Sequence, residues 1–235
     1  MNETSDKIFE QVKVAETIVQ YCLSSNKKFI FISGNGGAGK TELSKLIYKE
    51  AIKHGHVNLL DMDDFVVDTK LRNAAKAVWM DTENGQQTGR YTTSCAESYF
   101  LQSIKAIILN LKNGNDYYHW PKKAVVVEEC RLLYGDAALT IIEGVGTAFL
   151  NKDEINSVGI FMQCSEKIEI ARRTRRGSFS NEKDANEINK NFAERNSQYK
   201  AIVVPHKSEY KIVLDSSANY SLSVARDDDN IFNTK

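Results

Sequence analysis

Residues Lys27–Thr41 read KKFIFISGNGGAGKT, an apolar run that breaks into a glycine-rich turn and ends on a lysine and a threonine. The run Phe29–Ile32 predicts a short strand buried on both faces. Beyond the turn, Leu43, Leu46, Ile47 and Ala51 fall on one face, predicting a helix from Lys40 to His54. Between the two, Gly34, Gly39, Lys40 and Thr41 satisfy the spacing Gly-x-x-x-x-Gly-Lys-Ser/Thr. Each residue type has a physical task. Glycines let the backbone curl so that several N–H groups point inward, and the helix start turns its positive dipole end to the same anion. The loop of Gly34, Asn35, Gly36, Gly37, Ala38 and Gly39 is therefore expected to cradle a nucleoside triphosphate, ATP above others. Lys40 would hold the β and γ phosphates, and the Thr41 hydroxyl would ligate magnesium.

Leu59–Asp68, LLDMDDFVVD, follows at the end of a second predicted strand, His56–Asp61. Ligands of parallel α/β sheets sit outside the carboxyl ends of the strands, so Asp61, Asp63 and Asp64 are candidate neighbours of the γ-phosphate. An acceptor hydroxyl attacking that phosphate needs a carboxylate to orient it and take its proton; spacing alone leaves open which acid does so. A further strand ends at Glu143 within TIIEGVG, where two glycines allow a tight turn.

Composition sets limits around this site. Lys+Arg and Asp+Glu number 31 each, so no net charge draws the chain toward nucleic acid or a membrane surface. Cys22, Cys95, Cys130 and Cys164 lie far apart with no Cys-x-x-Cys pair, suggesting neither a zinc site nor a disulfide framework. A reducing cytoplasmic setting is expected, and no apolar run reaches membrane-spanning length. Partner expectations are confined to a small-molecule acceptor, with oligomeric state open.

The rest of the chain alternates helices and strands. Helices are predicted over 5–24, 96–111, 165–177 and 182–200; strands at AVVVEE, ALTIIEG, SVGIFMQC and YKIVLDS. Gly114 is placed to take a left-handed helix cap. Residues 66–94 have no clear assignment beyond a turn signal at ENGQQTG. This alternation predicts an α/β fold around a mainly parallel sheet. The division expected is an N-terminal helix on the core (1–27), a nucleotide-binding domain (28–216), and an extension or solvated tail (217–235).

The glycine loop followed by Asp-x-Phe, here Asp63-Asp64-Phe65, resembles the P-loop kinases of the uridine kinase and pantothenate kinase group. The resemblance spans about Lys28 to Ser216 and implies the P-loop nucleoside triphosphate hydrolase fold: a five-stranded parallel sheet flanked by helices, with a small lid. It assigns the general base to Asp63, beside the metal, and a magnesium-supporting role to Glu143. EIARRTRRGS looks like the family's lid; Arg172 and Arg176 share a helix face with Arg173 beside them, and all three are candidates to stabilise the transferred phosphoryl. DYYHWPKK sits where relatives carry Tyr-Asp-aromatic, so Tyr118 and Trp120 match and His119 replaces the acid. With Phe65, Arg90 and Tyr91 these residues are expected to frame the acceptor, while Pro205 and Lys207 are expected to be structural, with contact to adenine or shaping of its pocket as the alternative. A nucleoside-like acceptor is favoured for the aromatic side chains available to stack, while a nucleotide, nucleotide sugar, sugar or vitamin precursor stays open. A nucleotide-dependent switch with a protein partner is the competing class; it has no evident need for Asp-x-Phe or the arginine helix.

Overall fold

The computed structural model describes residues 8–122, 129–152, 155–175, 185–217 and 221–232. In chain order the elements are β1 (Ile8–Glu10), α1 (Gln11–Ser24), β2 (Phe29–Gly34), α2 (Lys40–Ala51), β3 (Val57–Asp61), α3 (Thr69–Ala74), β4 (Lys76–Asp81) and β5 (Gly85–Arg90). There follow α4 (Leu101–Lys112), β6 (Tyr117–His119), β7 (Arg131–Leu133), β8 (Leu139–Glu143), β9 (Ser157–Gln163), α5 (Glu166–Arg175), α6 (Ala185–Gln198), β10 (Ile212–Asp215) and β11 (Ser221–Asp227).

The central sheet has seven strands in the order β1-β11-β10-β9-β2-β8-β3. The five from β10 to β3 are mutually parallel, as expected, and β11 and β1 add an antiparallel edge. Alternation along β2 explains the two-sided core. Ile30 and Ile32 pack with α1 and α2, whereas Phe29 and Phe31 pack with Ile104, Ile107 and Leu111 of α4. Covered on both faces, the parallel strands aim their carboxyl ends at one edge of the molecule, where the glycine loop begins.

Several expectations are corrected. Residues 8–10 are strand rather than helix, because they pair with β11 and Phe9 meets the Phe232 ring at 5.7 Å. Of the segment expected as an extension or solvated tail, Ser221–Asp227 form β11 and Ile231 and Phe232 beyond it are buried, so these residues are not a solvated tail. The helix expected from Ala96 is a 3-10 turn over Ala96–Ser98 and becomes α-helix only at Leu101, since Val66 bridges Tyr99 and the Phe100 N–H donates to Phe65 O at 2.8 Å, breaking the helix between them. ENGQQTG runs from the turn into β5 of a hairpin formed by β4 and β5. Gly114 does take positive φ, +77°. Most of the expected AVVVEE strand lies outside the described residues, as does Arg176.

Candidate active site

The loop between β2 and α2 needs glycine where the chain is most crowded. At Gly34, φ is +134° and an added Cβ would sit 1.7 Å from the Met162 carbonyl oxygen of the neighbouring strand. At Gly36 an added Cβ would lie 1.8 Å from an Arg173 guanidinium nitrogen, so the loop leaves room there for a cation. Lys40 folds back over the loop, its Nζ donating to Gly34 O at 3.0 Å and Asn35 O at 2.9 Å. Burial pushes its ammonium below the ordinary lysine range, with Glu143 pulling the other way and Arg173 adding repulsion.

Strand register brings the acids to this loop. Asp61 and Glu143 are directly paired at the carboxyl ends of β3 and β8. Glu143 is buried and accepts from the Thr41 hydroxyl at 2.8 Å. Burial raises its proton affinity, which Lys40 and the Thr41 bond oppose. Burial also raises Asp61, to about 7, against the hydrogen bond its carboxylate accepts from the Asp63 N–H at 2.8 Å. That bond caps the short 3-10 turn Met62–Phe65 and places Asp63 on an exposed shoulder. The Asp63 charge acts on Lys40, Glu143 and Tyr99, putting it in the same electrostatic neighbourhood as the loop.

Asp64 points elsewhere. It takes a backbone hydrogen bond from Lys122 N–H at 3.1 Å and faces His119 Nε2 at 3.4 Å. Burial alone would raise its carboxyl, but these partners hold it below the usual range. His119 is buried and stacks on Phe65 with centroids 5.0 Å apart, while Tyr118 and Trp120 are exposed. Together with Asp64 and Phe100 they line a cavity of about 280 Å³. Arg90 and Tyr91 are not part of it. Arg90 is held by Glu194 and Asn191 of α6 at 2.8 and 2.7 Å, and Tyr91 packs with Ala77, Trp79 and Cys95.

On the other side of the loop, α5 lies against it. Arg172 donates to Gly37 O at 2.8 Å and to Ser216 Oγ and O at 2.9 and 2.7 Å, tying the loop to the end of β10. Arg173 donates through Nε to Glu169 Oε1 at 2.8 Å. A cavity of about 370 Å³ opens beside Asn35, walled by Cys164, Glu169, Tyr199, Lys207 and Asp215. Lys207 Nζ donates to Gln163 Oε1 at 2.6 Å there, and Pro205 starts the 3-10 turn Val204–Glu209 that carries it.

Sequence reasoning missed Glu169, Gln163 and Arg72. Arg72 donates to Val67 O, Tyr91 O and Thr69 Oγ1, and Asp63 is among the charges acting on it. Glu169 carried a legible signal, since it stands one helical turn before Arg173.

Among the described residues no three His, Cys, Asp or Glu side chains converge as a preformed cation site. The parallel sheet and its strand-loop-helix start define the P-loop α/β class of proteins. The chain belongs to the phosphoribulokinase / uridine kinase family, whose model matches residues 29–223. It is 24% identical to a uridine kinase of Schizosaccharomyces pombe, covering 82% of this chain and 43% of that relative, so it spans less than half the relative's length. Two solved structures share its fold. D-glycerate 3-kinase from Cryptococcus neoformans superposes with a TM-score of 0.58 at 13% identity, over 90% of this chain and 98% of that one. Phosphoribulokinase from Rhodobacter spheroides gives 0.54 at 14%, over 81% and 70%.

Proposed function

We propose that this chain transfers the γ-phosphoryl of ATP to a hydroxyl of a small, nucleoside-like acceptor. The observation that carries the reading is the convergence, at one sheet edge, of Lys40, the Thr41–Glu143 hydrogen bond and the Asp63 shoulder. Lys40 neutralises phosphate charge, and Asp63 orients the acceptor hydroxyl and receives its proton as the oxygen bonds to phosphorus and ADP departs. Thr41 and Glu143 offer hard oxygen donors on opposite sides of a single 2.8 Å contact, a donor set that suits magnesium held through few protein ligands. Magnesium, when bound, would supply charge neutralisation for the phosphates. The stacked Phe65–His119 pair, with Tyr118 and Trp120, supports an acceptor with a planar ring.

A second reading rests on Arg72. Its guanidinium, held by two carbonyls and a hydroxyl and electrostatically coupled to Asp63, favours an acceptor that carries a carboxylate or phosphate. One experiment separates the two: ADP release from MgATP by the purified chain across nucleosides, nucleotides, sugars, hydroxy acids and sugar phosphates, with Asp63→Asn as control. Acceleration by nucleosides, lost in the variant, supports the first reading, and acceleration by anionic acceptors only supports the second. Binding of ATP without acceleration by any class sinks the kinase reading.

A further inference from the structure

Glu169 is a buried acid on the nucleotide side of the molecule, a position that opposes phosphate binding unless its charge is used. Both of its oxygens are used. Oε2 accepts from Asn35 Nδ2 at 2.8 Å, and Oε1 accepts from Arg173 Nε at 2.8 Å. Asn35 is itself buried in the loop and locked at its other end, with Oδ1 accepting from Cys164 N–H at 3.1 Å. One carboxylate therefore joins the crest of the phosphate loop, the end of β9 and the arginine of α5. The ion pair fixes Nε and leaves the Nη2 end of the guanidinium against Gly36, where an added Cβ would lie 1.8 Å from it and the Arg173 head would have to shift. Arg173 and Lys40 are close enough to repel each other, and Glu169 is the acid that offsets the second cation.

We propose that Glu169 is a positioning residue for the donor phosphates: it holds Arg173 in the loop before nucleotide arrives, so that phosphate meets two preset cations rather than one. The proposal rests on the triphosphate reading of the loop and extends it to the acid behind it. Pre-setting matters because a free arginine loses rotamer entropy on binding phosphate, and a braced one has lost it already.

The test is a double-mutant cycle on binding of a magnesium-bound, non-transferable ATP analogue, measured by calorimetry on the full chain, with the melting midpoint recorded for each variant. Glu169→Gln keeps the shape and removes the charge. It is expected to weaken binding about tenfold, as is Arg173→Ala, and the double variant is expected to bind no worse than either single one. Losses that multiply, or a Glu169→Gln variant that binds like the parent, overturn the proposal. Should Glu169→Gln fail to fold, Arg173→Lys decides: lysine keeps the charge but lacks the Nε that the carboxylate grips, so it should bind as weakly as Arg173→Ala, and parental binding refutes the brace. No acceptor is needed, so a chain that binds the analogue but phosphorylates nothing defeats the kinase reading and leaves this one standing.

Discussion

At the scale of single residues, the acids after β3 divide by environment. Asp64 is turned toward His119 and Lys122, Asp61 caps the turn, and Asp63 alone is both exposed and coupled to Lys40. Asp63→Asn is thus expected to preserve ATP binding and slow transfer about a hundredfold or more, measured as single-turnover ADP formation. A larger loss from Asp64→Asn would move the base to the other side of the turn. Asp61 makes a separate prediction about pH. Its folded value is raised from 3.8 to about 7, so through that window the folded chain retains a proton that the unfolded chain has released. Its contribution is full below the unfolded value and is lost as pH rises toward the folded one. In metal-free protein Asp61→Asn should raise the melting midpoint at about pH 8, with the gain shrinking toward about pH 4. A gain independent of pH would detach the effect from this carboxyl.

At the scale of elements, the hairpin of β4 and β5 has no place in the central sheet and is held by α6. Gln198 is fully buried where they meet, its Oε1 accepting from Thr92 N–H, Thr92 Oγ1 and Cys95 Sγ, its Nε2 donating to Arg90 O at 2.8 Å. Trp79 Nε1 reaches Ser197 Oγ at 2.8 Å, and Ser197 in turn bonds Asp81. Gln198→Ala strands those donors, and about 2–4 kcal/mol of stability should go with them, read from urea unfolding. A loss within about 0.5 kcal/mol would mean that water replaces the amide. None of this was legible in residues 66–94. Their polar stretch carries weak local preference, and a hairpin of that kind is defined by what it packs against. The helix after the glycine loop was legible because its apolar stripe repeats at helical spacing against a sheet face that is itself apolar.

At the scale of the molecule, the parallel core ends in an antiparallel edge that joins the two ends of the described chain. Leu222 of β11, with Ile231 and Phe232, buries its side chain against the face covered by α1. Three such side chains are worth about 1.5–3 kcal/mol each, comparable with a typical total stability of about 5–15 kcal/mol. Removing residues 217–235 should therefore abolish the cooperative melt or leave the protein insoluble. A truncated chain with an unshifted midpoint would show that β11 contributes nothing to folding.

The parallel α/β core and the glycine-rich loop were legible before any packing was known, because both are written locally: apolar runs of strand length, one helical stripe, and glycines at fixed spacing before Lys40 and Thr41. The edge of the sheet, the different hydrogen-bond partners of Asp61 and Asp64 beside an exposed Asp63, and the grip of Glu169 on Asn35 and Arg173 emerged with the packed fold. Those features join residues far apart in the chain. Pairing, burial and the direction of a carboxylate follow from which surfaces meet, and short-range pattern does not carry that information.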